Sequence, residues 1–109
     1  MAVTKQNKQL SPDEERLYEI FRDLQNDRKE NGKTINLIGK NRKLTPNNKA
    51  FNFQGDRIRK QINYNPDYYR KNVAKYNDNL LRFILLHEEA HITRSKNKLP
   101  YFVYIHPIS

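Results

Sequence analysis

Apolar positions along this chain follow first a helical and then a strand-like period. Leu17, Ile20, Phe21 and Leu24 recur every three or four residues, the spacing that places them on one side of a helix. Ser11-Pro12-Asp13-Glu14 precedes them with three agreeing start signals: a Ser with Glu three residues on, Pro at the first helical position, and acids in the first turn. The pattern predicts a helix to about Lys29, its stripe packed in the core and Asn31-Gly32 as its stop. Thr34 to Ile38 reads as a first strand ended by Gly39, and Thr45-Pro46-Asn47-Asn48 reads as part of a polar loop. Period two then takes over. Phe51 and Phe53 alternate before Gln54-Gly55-Asp56, and Ile58, Ile62 and Tyr64 alternate after it, which predicts a hairpin with one buried face. Asn65-Pro66 closes the second strand, and Asp67 to Tyr76 fits either a helical turn or a loop.

Helical spacing returns after a cap at Asn77 or Asp78. Leu80 to Leu86 is apolar nearly all round, as expected of a helix crossing the middle of a small domain, and Leu80, Ile84, His87 and His91 share one face. This helix is expected to end near Ser95, because Arg94, Lys96 and Lys98 suit the negative end of its dipole and Pro100 forbids continuation. Beyond it, Tyr101-Phe102-Val103-Tyr104-Ile105 is uncharged and strand-prone. The expected fold is therefore α+β in a single domain over residues 1–109. It has an N-terminal helix, a small three-stranded sheet with a hairpin and a final helix, between a flexible tail at 1–10 and a strand-prone tail at 99–109.

Composition narrows this picture only modestly. With 36% hydrophobic and 30% charged residues the chain suits a small soluble domain, and no apolar run approaches a membrane span. Met1 to Lys8 has no apolar signal region, so a cytoplasmic location is expected. Cysteine is absent, which excludes disulfides and thiolate metal sites. A net charge of +9 favours acidic partners: nucleic acid, an anionic surface or acidic protein segments. The basic residues are scattered, and the densest stretches, Arg57 to Lys60 and Arg94 to Lys98, read equally well as a solvated strand face and a helix end. That weighs against specific nucleic-acid binding.

The chemistry is concentrated in His87-Glu88-Glu89-Ala90-His91, an H-E-x-x-H pattern. On a helix the two imidazoles stand one turn apart on the same face and both reach one zinc ion, while Glu88 lies beside its water as general base. The residue types match the task, since neutral imidazole suits zinc and a carboxylate takes the proton as water attacks a carbonyl.

Ile62-Asn63-Tyr64-Asn65-Pro66, followed after a spacer by Leu85-Leu86-His87-Glu88-Glu89-Ala90-His91, resembles the strand-then-helix core of minimal zincin metallopeptidases. It is most similar to the minigluzincin group of very small peptidases, over about residues 12 to 95. The resemblance implies a helix, a small sheet and an active-site helix, and zinc-dependent endoproteolysis. His87 and His91 would be ligands and Glu88 the base. The third ligand departs from the pattern: gluzincins use a downstream Glu, and no Asp or Glu follows Glu89 here. His106 is the downstream candidate with a good zinc donor. Its open alternatives are a ligand within its own chain, a tail that blocks the cleft of its own or a neighbouring molecule, and a solvated residue with no metal role. An upstream carboxylate or solvent at the third position stays open as well. Tyr101 and Tyr104 are candidates for an oxyanion donor, although packing in a hydrophobic strand is their commoner role.

The sequence thus reads as a zinc endopeptidase acting on protein or peptide substrates, with an extended substrate added to the hairpin strand nearest the metal. The strand-prone tail suggests reversible homo-oligomers that restrain activity. A looser likeness to SprT-like proteases allows substrates among DNA-associated proteins. The rival of another class is a basic nucleic-acid-binding module with a non-catalytic metal, which would need four protein ligands to close its site.

Overall fold

Helix α1 (Pro12–Gln25) opens the computed structural model, which describes residues 10–93, and it begins as its start signals require. Ser11 Oγ accepts the Glu14 backbone N–H at 3.2 Å, a cap worth about 1 kcal/mol. Leu17, Ile20, Phe21 and Leu24 are all buried. The helix stops at Gln25, short of the expected Lys29, because tertiary bonds draw the chain away. Ile38 N–H donates to Leu24 O at 2.9 Å, and the Gln25 amide reaches Gly39 O and Arg42 O. Asn31-Gly32 is therefore not the helix stop. It turns a separate two-stranded hairpin of β1 (Arg28–Glu30) and β2 (Lys33–Ile35), with φ positive at both residues as a two-residue I′ turn needs. The strand expected over Thr34–Ile38 ends at Ile35 and stays outside the main sheet, while Ile38 is buried in the core.

The three-stranded sheet is present, but one of its strands comes from the segment read as polar loop. Strands β3 (Lys43–Pro46), β4 (Phe53–Asp56) and β5 (Gln61–Tyr64) lie in the order β3-β5-β4, with β3 parallel and β4 antiparallel to β5. The hairpin turns through residues 57–60, with Lys60 at φ 59°, so Gln54-Gly55-Asp56 lies inside the strand instead of forming the turn. Phe51 and Ile58, expected in the alternation, are 84% and 91% exposed outside the ladder. Leu44, Phe53, Ile62 and Tyr64 fill the inner face, and the register puts Lys43, Thr45, Gln54, Asp56, Gln61 and Asn63 on the other.

The ambiguous stretch after β5 is helical: a short α2 (Pro66–Tyr68), capped by Asn65, runs into a π-helical turn over Tyr69–Val73. Tyr69 packs against Phe53 and Tyr64 in an aromatic cluster with ring centroids 6.1–6.3 Å apart. Burial raises both phenol pKa values, that of Tyr69 to about 12. Each hydroxyl donates into α1, Tyr64 to Glu14 Oε2 at 2.8 Å and Tyr69 to Asp13 O at 2.7 Å.

Helix α3 (Asp78–Thr93) starts where expected, with Asn77 Oδ1 accepting Leu80 N–H at 3.1 Å. Arg16 fastens it to α1 by donating to Asp78 Oδ1 (2.8 Å), Ala74 O (3.0 Å) and Tyr76 O. Leu81, Ile84 and Leu85 are fully buried, each contributing roughly 1.5–3 kcal/mol by leaving water. The face in the core is turned slightly from the expected one. Leu81, Ile84, Leu85 and Glu88 lie deepest, His87 is buried as well, and Leu80 is half-buried. The expected helix end near Ser95 and the tails fall outside the described residues. α3 packs on α1 and across β4 and β5, giving the α+β architecture.

Candidate metal centre and active site

The site is built where α3 passes beneath β4. Helical geometry stacks His87 and His91 one turn apart, and their Nε2 atoms approach to 3.2 Å with the rings nearly perpendicular at 82°. Two imidazoles bound to a tetrahedral ion at a Zn–N length of about 2.05 Å would stand about 3.3 Å apart. The rings thus converge at a spacing that one metal ion could share. Without metal, the same distance suits a single N–H···N bond between neutral rings. His87 is 3% exposed, with Phe83 tilted against it at 6.0 Å between ring centroids. His91 is half-buried, and desolvation lowers its pKa, favouring the neutral form that ligates metal.

Glu88 is 1% exposed. One carboxylate oxygen, Oε1, accepts the Gly55 backbone N–H at 2.8 Å, whereas the buried Oε2 has no hydrogen-bond partner among the described residues. Burial pushes its pKa up to about 8, with the Gly55 N–H opposing the shift only in part. A carboxyl so placed is matched to proton transfer near neutral pH, and an unpaired buried oxygen costs stability unless a proton, water or cation completes it.

The adjacent carboxylate has a different job. Glu89 Oε1 accepts Arg42 Nε–H at 2.9 Å and its Oε2 accepts Gly39 N–H at 3.1 Å, so it anchors the loop before β3 to α3.

Gly55 contributes to the site although the sequence reading placed it in a turn. A Cβ there would lie 2.4 Å from Glu88 O and 3.2 Å from His91 Cβ, so only glycine lets β4 come this close to α3. The available signal was an isolated glycine between strand-like residues, which marks a close backbone approach. Among the described residues the strand is also one of the two edges of the sheet. Asn65 N–H donates to Asn52 O, and antiparallel alternation from that pair turns the Phe53 and Gly55 backbone groups away from β5. The bond from Gly55 to Glu88 agrees with that direction.

Of the expected site residues, the structure brings His87 and His91 together, and Glu88 stands between them on α3 with its carboxylate on the Gly55 N–H. His106, Tyr101 and Tyr104 lie outside the described residues. Among the described residues no group of three His, Cys, Asp or Glu side chains that could hold a metal ion is found. The donor set fits two of the three protein positions that catalytic zinc uses. No helix among the described residues is long and apolar enough to cross a membrane. No family model, curated protein or solved structure matches the chain.

Proposed function

We propose that the chain is a zinc-dependent endopeptidase, with His87 and His91 as ligands and Glu88 as general base. The observation that carries this reading is the convergence of the two imidazoles, with the buried carboxylate of Glu88 on the same helix and one of its oxygens unpartnered among the described residues. Zinc, when bound, would polarise the scissile carbonyl and lower the pKa of the attacking water. Glu88 takes the proton from that water and returns it to the leaving nitrogen, held in place through Oε1 by the Gly55 N–H. Glu88 performs this role in its ionised form, which a bound dication would favour. The outward backbone groups of Phe53 and the Gly55 carbonyl receive an extended peptide by strand addition.

In this proposal His106 supplies the third donor, from its own chain or a neighbouring copy, and association through Tyr101–Ile105 restrains activity. A closed structural site, which the nucleic-acid-binding alternative needs, takes four protein donors, and only two converge among the described residues. The test is zinc content together with cleavage of an unfolded protein substrate such as casein. One zinc per chain and chelator-sensitive cleavage are expected, and a zinc-free chain or chelator-resistant cleavage overturns the proposal.

A further inference from the structure

The face of the sheet turned away from α3 holds a groove of about 810 Å³ along β4. Across the strands, Thr45, Asn63 and Gln54 stand side by side. Asn63 is 3% exposed and its amide is fixed, accepting from Gln61 Nε2 at 2.7 Å and donating to Gln54 Oε1 at 3.5 Å. That chain of amides orients Gln54, which lines the groove and whose own N–H₂ has no partner among the described residues.

At the turn end stand Arg57 and Arg59. Arg57 is exposed and makes no hydrogen bond or ion pair among the described residues, while Arg59 commits one guanidinium nitrogen to Asp56 at 3.1 Å. The Asp56 carboxylate is already occupied within the turn by the N–H groups of Ile58 and Arg59 and by that guanidinium. The groove therefore offers donors and net positive charge to a ligand.

β4 joins this groove to the α3 site. A peptide added to the edge of β4 projects alternate side chains to opposite faces of the sheet, one set over the imidazoles and Glu88, the other over the groove. We infer that the groove is a specificity-determining subsite for acidic side chains, so that the chain selects extended segments carrying Asp or Glu at alternate positions beside the scissile bond. This rests on the endopeptidase reading of the α3 site. The net charge of +9 complements such segments. Single-stranded nucleic acid shares the charge but binds by stacking on aromatic rings, and none of the described residues lining this groove is aromatic.

The test uses the full zinc-loaded chain carrying Glu88→Gln, so that bound peptide is not consumed. Short labelled peptides alternating Ser with Asp, Gln or Lys, and an oligothymidylate, serve as probes in fluorescence anisotropy and amide NMR titrations. The Ser-Asp peptide is expected to bind at least about tenfold more tightly than the Ser-Lys peptide and to move the amides of Gln54, Arg57, Arg59 and Asn63. Adding Arg57→Glu, which removes no bond to the described residues, should weaken that binding about tenfold. Equal affinities, an unaffected Arg57→Glu variant, or tighter oligothymidylate binding at the same amides would overturn the inference. Incubating the parent protein with the same peptides separates the two readings. Selective binding of the acidic peptide without zinc-dependent cleavage upholds the groove and refutes the peptidase, whereas cleavage indifferent to peptide charge refutes the groove alone.

Discussion

Glu14 on α1 and Glu88 on α3 are both carboxylates buried in the core, and they are treated in opposite ways. Glu14 is 8% exposed, and each of its oxygens accepts a hydroxyl: Ser11 Oγ on Oε1 and the Tyr64 phenol on Oε2, with Arg70 at 3.8 Å. Glu88 is deeper, receives one backbone N–H, and has no partner for its other oxygen among the described residues. Native proteins satisfy nearly all buried polar atoms, so an exception calls for a reason. The comparison separates a carboxylate that holds the fold together from one that the proposed function makes the general base. Glu89, next in sequence to Glu88, belongs with Glu14, since both of its oxygens are bonded.

The largest expected effect of breaking this contrast is on activity. Glu88→Ala should lower the cleavage rate by about 10²–10⁴-fold, the usual worth of a general base, while zinc content stays near the parent value. Parent-level cleavage by that variant would remove Glu88 from the mechanism. On the structural side, Arg42→Ala leaves the Glu89 carboxylate buried without its cation. Breaking such a pair costs about 3–5 kcal/mol, so the melting temperature should fall by more than about 10 °C in thermal denaturation. A fall of only a degree or two would mean that the pair is solvated in practice.

A smaller effect comes from pH. In the metal-free protein the folded Glu88 has a pKa of about 8 against an ordinary value near 4.5, so the folded state holds a proton that the unfolded chain releases. The stability this gives is complete below about pH 4.5 and is lost as pH rises through 8. His91 contributes the opposite trend below its ordinary value of 6.5, because its folded pKa is lowered and acid charges the unfolded state first. Metal-free Glu88→Gln should therefore melt about 5 °C or more above the parent at pH 9, with the gap narrowing in mild acid. A gap independent of pH would contradict the assignment. The smallest effect is expected from Tyr64→Phe. It removes one donor from Glu14 and should cost about 1–2 kcal/mol while zinc content and KM stay unchanged.

How far the sequence showed this in advance differs between the two ends of the fold. α1 and α3 were legible because their signals are local: the Ser11 box, the stripe from Leu17 to Leu24, and the apolar run before His87. The site pair was legible for the same reason, as spacing along one helix determines it. What escaped depends on distant partners. Lys43 to Pro46 is a strand because β5 offers a parallel partner, and nothing in its own composition announces that pairing. The early end of α1 depends on Ile38, Gly39 and Arg42, which lie well beyond the helix. Asn31-Gly32 carried a hairpin signal, but it was read as a helix stop because both structures use the same positive φ. The N–H that orients Glu88 comes from Gly55, whose role appears only once β4 is laid against α3.

The central claim is that His87 and His91 share a zinc ion on which hydrolysis depends. It is tested most directly by measuring zinc per chain and casein cleavage on one preparation before chelation, after it, and after zinc is restored, with His87→Ala alongside. The account predicts one zinc per parent chain, cleavage that disappears and returns with the metal, and a variant deficient in both. Cleavage unchanged by chelation, or a His87→Ala chain that binds zinc and cleaves like the parent, would contradict it.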